Sequence, residues 1–86
     1  MIRRFREGFY SDLLVECEEA VLKEYDIEEL DFLSYSEKRE TVYYIVEKTV
    51  NERFSKFANK SSPEEIRDIC EDITSILFTT FSEKER

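Results

Sequence analysis

Two cysteines, Cys17 and Cys70, carry the side chains of this sequence that are best suited to chemistry. A thiolate acts as a nucleophile when a base lies beside it, and as a metal ligand when other donors complete the site. The chain contains no histidine and no CxxC pair, so a Cys–His arrangement cannot form and a structural zinc site would lack ligands. Because both cysteines fall on apolar helix faces, we expect each of them to be a small buried residue of the core. A thiol-based redox role for the pair is the alternative.

Carboxylates are abundant, and pairs of them can serve general acid–base chemistry. Glu18 and Glu19 are adjacent, but neighbouring residues of a helix point about 100° apart, so such pairs indicate solvated faces rather than a catalytic dyad. The acids of residues 26–31 have a spacing similar to that of a calcium loop, yet the glycine that its turn requires is absent. No glycine-rich phosphate loop is present either. The sequence therefore predicts no enzyme, no cofactor, no metal site and no small-molecule substrate.

Length and composition predict one domain over residues 1–86, with residues 82–86 as a solvated tail. A hydrophobic content of 41% and an aromatic content of 14% argue against disorder, although 40% of the residues are charged. With one glycine and one proline, the chain has little material for tight turns. These features favour an all-α bundle of three long helices and one short helix, packed antiparallel.

The stretch from Ser34 to Lys60 predicts the long helix against which the rest of the chain packs. Ser34 and Glu37 have the spacing of a capping box. The apolar residues of this stretch fall within an arc of roughly 120°, and they are Val42, Tyr43, Val46, Val50, Phe54 and Phe57. Polar or exposed residues are expected on the opposite side, namely Tyr44, Lys48, Asn51 and Ser55.

Two further long helices and one short helix follow from the same periodicity. Residues 2–24 predict a first helix, with Ser11 or Asp12 as an alternative start, and its core face holds Ile2, Phe9, Leu13, Cys17 and Ala20. Asp26 and Glu29 form a second capping box, before a short helix of about two turns marked by Ile27, Leu30 and Leu33. Ser62, Pro63 and Glu65 start the last helix, whose apolar side holds Ile66, Ile69, Cys70, Ile73, Leu77 and Phe81.

The net charge of −8 is unevenly distributed along the chain. Residues 11–31 contain nine acids and one base, so this segment carries a charge equal to the whole surplus. An acidic protein is repelled by phosphate backbones and by anionic membranes, and it is attracted to basic partners. We therefore expect a basic surface on a protein partner, not a nucleic acid or a membrane.

The first helix also carries two apolar residues on the side opposite its core face. Val15 and Leu22 are seven residues apart and lie among Asp12, Glu18 and Glu19. One interpretation is that this helix is packed on both sides, with Ile27, Leu30 or Phe32 folding back over the pair. The other is that Asp12, Val15, Glu18, Glu19 and Leu22 form a surface for a partner.

These observations favour a non-catalytic protein-interaction module, such as an inhibitor, an adaptor or an immunity-type protein. It would occupy a basic site on its partner, for example by mimicking nucleic acid. An alternative is a nucleic-acid-associated regulator, dimeric and contacting phosphates through Arg3, Arg4 and Arg6. No apolar run has the length of a membrane span and no signal peptide is recognisable, so we expect a cytoplasmic protein, with homodimerisation left open.

Overall fold

The computed structural model describes residues 7–84 of the chain, and these residues form helices joined by short connections. The helices are α1 (Glu7–Glu24), α2 (Ile27–Asp31), α3 (Tyr35–Arg53), α4 (Ser55–Lys60) and α5 (Pro63–Lys84). No strand occurs between residues 7 and 84. The prediction of a small all-α bundle is therefore confirmed.

Short-range capping bonds set the helix starts, as the sequence predicted. The Ser34 side chain accepts from the Glu37 amide at 3.2 Å, and Glu37 Oε1 accepts from the Ser34 amide at 3.0 Å. The Ser62 hydroxyl and the Glu65 amide make the same bond at 3.1 Å, immediately before Pro63. At α2, Glu29 accepts from the amide of its N-cap residue at 2.8 Å. Each bond satisfies an amide that the helix itself leaves unpaired.

The predicted helix over residues 34–60 is wrong in one respect, because the chain bends at Phe54 between α3 and α4. Phe54 has φ −122° and ψ 43°, outside the helical region. Just before the bend, Asn51 donates through its side chain to the Glu47 carbonyl at 3.0 Å, and such bonds to the carbonyl four residues back often bend helices. The bend allows both Phe54 and Phe57 to contact Phe9, with ring centroids 5.5 and 4.9 Å away.

Other predicted boundaries also differ from the structure. Ser11 and Asp12 lie inside α1, so neither starts a helix, while Ile2 lies outside the described residues. The helix α2 has five residues and is shorter than the predicted two turns. At the other end, the backbone of α5 extends to Lys84, into the segment predicted to be a solvated tail.

The helix α3 packs antiparallel to α1 and to α5. The end of α3 lies near the start of α1, where Phe54 contacts Phe9. Its beginning lies near the end of α5, because the rings of Tyr35 and Phe78 are edge to face at 5.6 Å. The seam between α1 and α5 is shorter than either of these two interfaces.

The core lies between the long helices and is nearly all apolar. Every long helix contributes residues at helical spacing, and α2 adds Leu30. The buried hydrophobic residues are Leu13, Cys17, Val21, Leu30, Val42, Ile45, Val46, Val50, Ile69, Cys70, Ile73, Leu77 and Phe81. The buried hydroxyls of Thr49 and Thr74 donate to the carbonyls of Ile45 and Cys70 at 2.8 and 2.7 Å, so they satisfy themselves within their own helices.

Candidate interaction surface

Charge is divided unequally between the three long helices. Residues 8–24 of α1 contain five acids and one base, and residues 63–81 of α5 also contain five acids and one base. The helix α3, in contrast, contains four acids and four bases. Negative charge therefore accumulates on α1 and α5, while α3 is neutral.

Two of the α3 bases are engaged in ion pairs with the neighbouring helices. Arg39 Nη2 lies 2.6 Å from Glu71 Oε1 of α5, and Arg53 Nη1 lies 2.6 Å from Glu16 Oε1 of α1. A third base of α3, Lys38, pairs with Asp31 at 3.1 Å. Arg39 and Arg53 therefore each neutralise one acid at an α3 interface. The other acids of α1 and α5 still outnumber the bases of these two helices.

The structure places the predicted partner-binding residues along one side of α1, but it separates the two apolar ones. Val15 is exposed, with 52% of its surface accessible. Leu22 is half-buried and packs against the core. Asp12 and Glu19 are both exposed. They flank Val15 on the same side of the helix, because they lie three residues before it and four residues after it.

Glu18, the remaining member of the predicted set, is half-buried on the same helix. The competing idea is that Ile27, Leu30 or Phe32 folds back over Val15 and Leu22. Leu30 is fully buried and Ile27 is half-buried, but Phe32 points away into solvent, with 88% of its surface exposed. Val15 is therefore the exposed apolar residue of the predicted set.

A largely apolar groove runs between α1 and α5, and the sequence interpretation did not include it. Tyr10 and Leu14 of α1 line one side, while Asp72, Ser75 and Ile76 of α5 line the other. The groove has a volume of about 460 Å³, and Ile76 exposes 42% of its surface. A helical-wheel projection of α5 would have placed Ile76 about 100° from Leu77 and hence at the edge of the apolar face.

An aromatic patch near the α2–α3 turn forms a second exposed surface. Tyr35 stands edge to face on Phe78 and is 68% exposed. Lys38 lies over the Phe78 ring at 5.4 Å from its centroid. Beside them, Tyr35, Arg39, Tyr43 and other α3 residues line a shallow depression with Glu71. This patch holds paired charges of both signs, so it lacks the acidic character of the α1 and α5 surfaces.

The thiols of Cys17 and Cys70 are fully buried and unbridged. Burial, with a smaller contribution from Cys70, raises the pKa of Cys17 from 9.0 to about 12. Burial also raises the pKa of Cys70, to about 11, with help from the charges of Glu47 and Glu71. Both cysteines belong to the same cluster of buried core residues. Neutral, solvent-shielded thiols are poor nucleophiles, which argues against the redox alternative.

The part of the chain covered by the structure contains no cluster of three or more acids, cysteines or histidines that could hold a metal ion. Among the same residues, no helix is both long enough and apolar enough to cross a bilayer. The basic arm of Arg3, Arg4 and Arg6 lies outside the described residues. Comparison with protein-family models, with characterised proteins and with solved structures yields no match.

Proposed function

We propose that this chain is a non-catalytic acidic module that binds a basic surface of a partner protein, in the manner of an inhibitor, an adaptor or an immunity-type protein. The observation that carries the proposal is the unequal division of charge. Residues 8–24 of α1 and residues 63–81 of α5 each hold five acids against one base, while α3 is balanced. A basic groove, such as a channel that normally holds nucleic acid, would complement this distribution.

The outer side of α1 supplies the proposed contact. Charge steers encounter and sets orientation, whereas buried apolar anchors carry most of the binding energy. Val15 is exposed between Asp12 and Glu19, which gives an apolar anchor with an acidic rim. Leu22 packs against the core, so it helps to hold α1 in place and is a weaker candidate for direct contact with a partner.

The proposal includes a cytoplasmic location. Free cysteines are compatible with such a location, because a reducing compartment keeps thiols unbridged.

Salt dependence tests the electrostatic part of the proposal. The immobilised protein would capture its partner from an extract of the native host, and the purified pair would then be titrated with sodium chloride. We expect the Kd to rise steeply with salt, because exposed charges are screened over about 8 Å at physiological ionic strength. An unchanged Kd would mean that the acidity serves solubility alone.

Matched charge reversals test the assignment to α1. Glu19→Lys on α1 and Glu40→Lys on α3 alter the net charge equally, and both residues are exposed. We expect Glu19→Lys to weaken capture much more than Glu40→Lys. Equal losses would mean that net charge acts without a defined surface, and Val15→Ser would then also leave capture unchanged.

A further inference from the structure

We infer that the element recognised on the partner is a basic amphipathic helix, seated in the groove between α1 and α5. This inference rests on the proposed function, since it specifies the kind of partner that the acidic helices α1 and α5 bind and adds the groove between them to the contact on the outer side of α1. It assigns the groove the role of receiving apolar side chains, while the acids of both helices receive the flanking lysines and arginines.

The shape of the groove suits a helix. Its walls are one turn of α1, at Tyr10 and Leu14, and one turn of α5, at residues 72–76. Ile76 is 42% exposed, and Tyr10 and Leu14 are half-buried, so the floor is apolar and already anchored to the core. Side chains spaced i, i+3, i+4 and i+7 on a helix enter such a groove between two helices as ridges enter grooves.

The charge around the groove specifies a basic occupant. Asp72 lies in the groove itself. The Arg39 and Arg53 side chains pair with Glu71 and Glu16 along the α3 interfaces, so they are engaged elsewhere. A helix with lysines or arginines beside its apolar stripe therefore meets Asp72 on the α5 wall, within the negative field of the further acids that α1 and α5 carry.

The same charges disfavour the other occupants of an apolar groove. A second copy of this chain brings the same acidic helices and a net charge of −8, so the two copies repel each other. A nucleic acid brings phosphates, which the acids of α1 and α5 also repel. A basic helix is thus the occupant that complements both the shape and the charge.

A designed probe tests the inference without knowledge of the natural partner. The probe is a fluorescein-labelled peptide of about fourteen leucine and lysine residues, with the leucines at the helical spacing above. One control peptide has the same composition with the leucines spread around the helix. A second keeps the leucine spacing and replaces lysine by glutamate. Binding would be measured by anisotropy at about 0.15 M salt and mapped by amide chemical shifts of the labelled protein.

We expect the amphipathic lysine peptide to bind best and to shift amides along the groove walls. Ile76→Ser and Asp72→Asn should each weaken it by roughly tenfold, as expected for a central contact. Tyr44→Ser on the outer side of α3, an exposed aromatic position, is the matched control and should leave binding unchanged. Circular dichroism would confirm that each variant keeps its helix content.

The controls distinguish an error in the inference of a helical partner from an error in the proposed function. If the lysine peptide with scattered leucines binds as tightly and Ile76→Ser has no effect, the helix in the groove is refuted while the preference for a basic partner stands. If the glutamate peptide binds as tightly as the lysine peptide, the proposed function is refuted as well. Absence of binding by either lysine peptide refutes the helix in the groove, whereas the proposed function is decided by the salt titration and the charge reversals, and shifts confined to the Tyr35–Phe78 patch refute the groove.

Discussion

The valines at positions 15 and 21 offer a matched test of which side of α1 faces solvent. They share one helix and one residue type, but Val21 is fully buried while Val15 is 52% exposed. Truncation of each to alanine removes the same two carbon atoms and gives the same gain in helix propensity. Any difference in the free energy of unfolding therefore reports their surroundings.

The expected difference is large for a domain of this size. Burial of two carbons contributes about 1.6 kcal/mol, and the cavity left at position 21 adds roughly 1 kcal/mol. Alanine returns about 0.5 kcal/mol of helix propensity. Val21→Ala should therefore cost about 2 kcal/mol. At Val15 the lost burial is about half as great, roughly 0.8 kcal/mol, so the net cost should be only about 0.3 kcal/mol.

Thermal and urea unfolding would measure both variants beside the unaltered chain. A loss of 1 kcal/mol lowers the Tm of such a domain by about 4–8 °C, so Val21→Ala should lower it by about 8–16 °C and Val15→Ala by no more than about 3 °C. Equal losses would refute the exposed position of Val15. If the Val15→Ala loss also varied with protein concentration, another copy of the chain would be covering that residue.

The remaining predictions concern the thiols, a helix cap and an ion pair. Burial raises the pKa values of Cys17 and Cys70 above the unfolded value of 9.0, so the folded state keeps protons that the unfolded state loses. Stability should therefore fall as pH rises from about 9 towards 11–12. Urea unfolding midpoints measured across this range should show the fall, and the variant with both cysteines replaced by alanine should show much less of it. Ser34→Ala should cost about 1 kcal/mol by urea unfolding, through loss of the N-cap bond of α3. A double-mutant cycle on the exposed pair Arg39–Glu71 should give a coupling of at most about 1 kcal/mol; a larger value would mean that the pair organises the α3–α5 interface.

The features that the sequence predicted correctly are those that local interactions decide. The caps at Ser34 and Ser62 form between residues three apart, so their residue types specify them. The core faces follow from the helical period, since Leu13, Cys17 and Leu77 are fully buried as predicted. Neither feature requires knowledge of how the helices pack.

The features that it missed depend on contacts between distant parts of the chain. The bend at Phe54 has no glycine or proline to signal it, and it accompanies packing of two phenylalanines on Phe9, more than forty residues earlier. The exposure of Ile76 depends on how far α1 covers α5. The predicted pair of Val15 and Leu22 differs in burial for the same reason, because only Leu22 reaches the core.

The division of charge links the fold to the proposed function. The balanced helix α3 lies antiparallel to both acidic helices and supplies a base to each, through Arg39 and Arg53. Where α1 and α5 meet, the residues that line the groove include Asp72 and no base, and both helices carry more acids than bases. A basic partner would offset this negative charge as it binds, and ligand binding to the folded state alone stabilises it, by about 2.7 kcal/mol at a hundred times the Kd. In the proposed function, the charge that α3 leaves unbalanced on α1 and α5 is therefore also the charge that selects the partner.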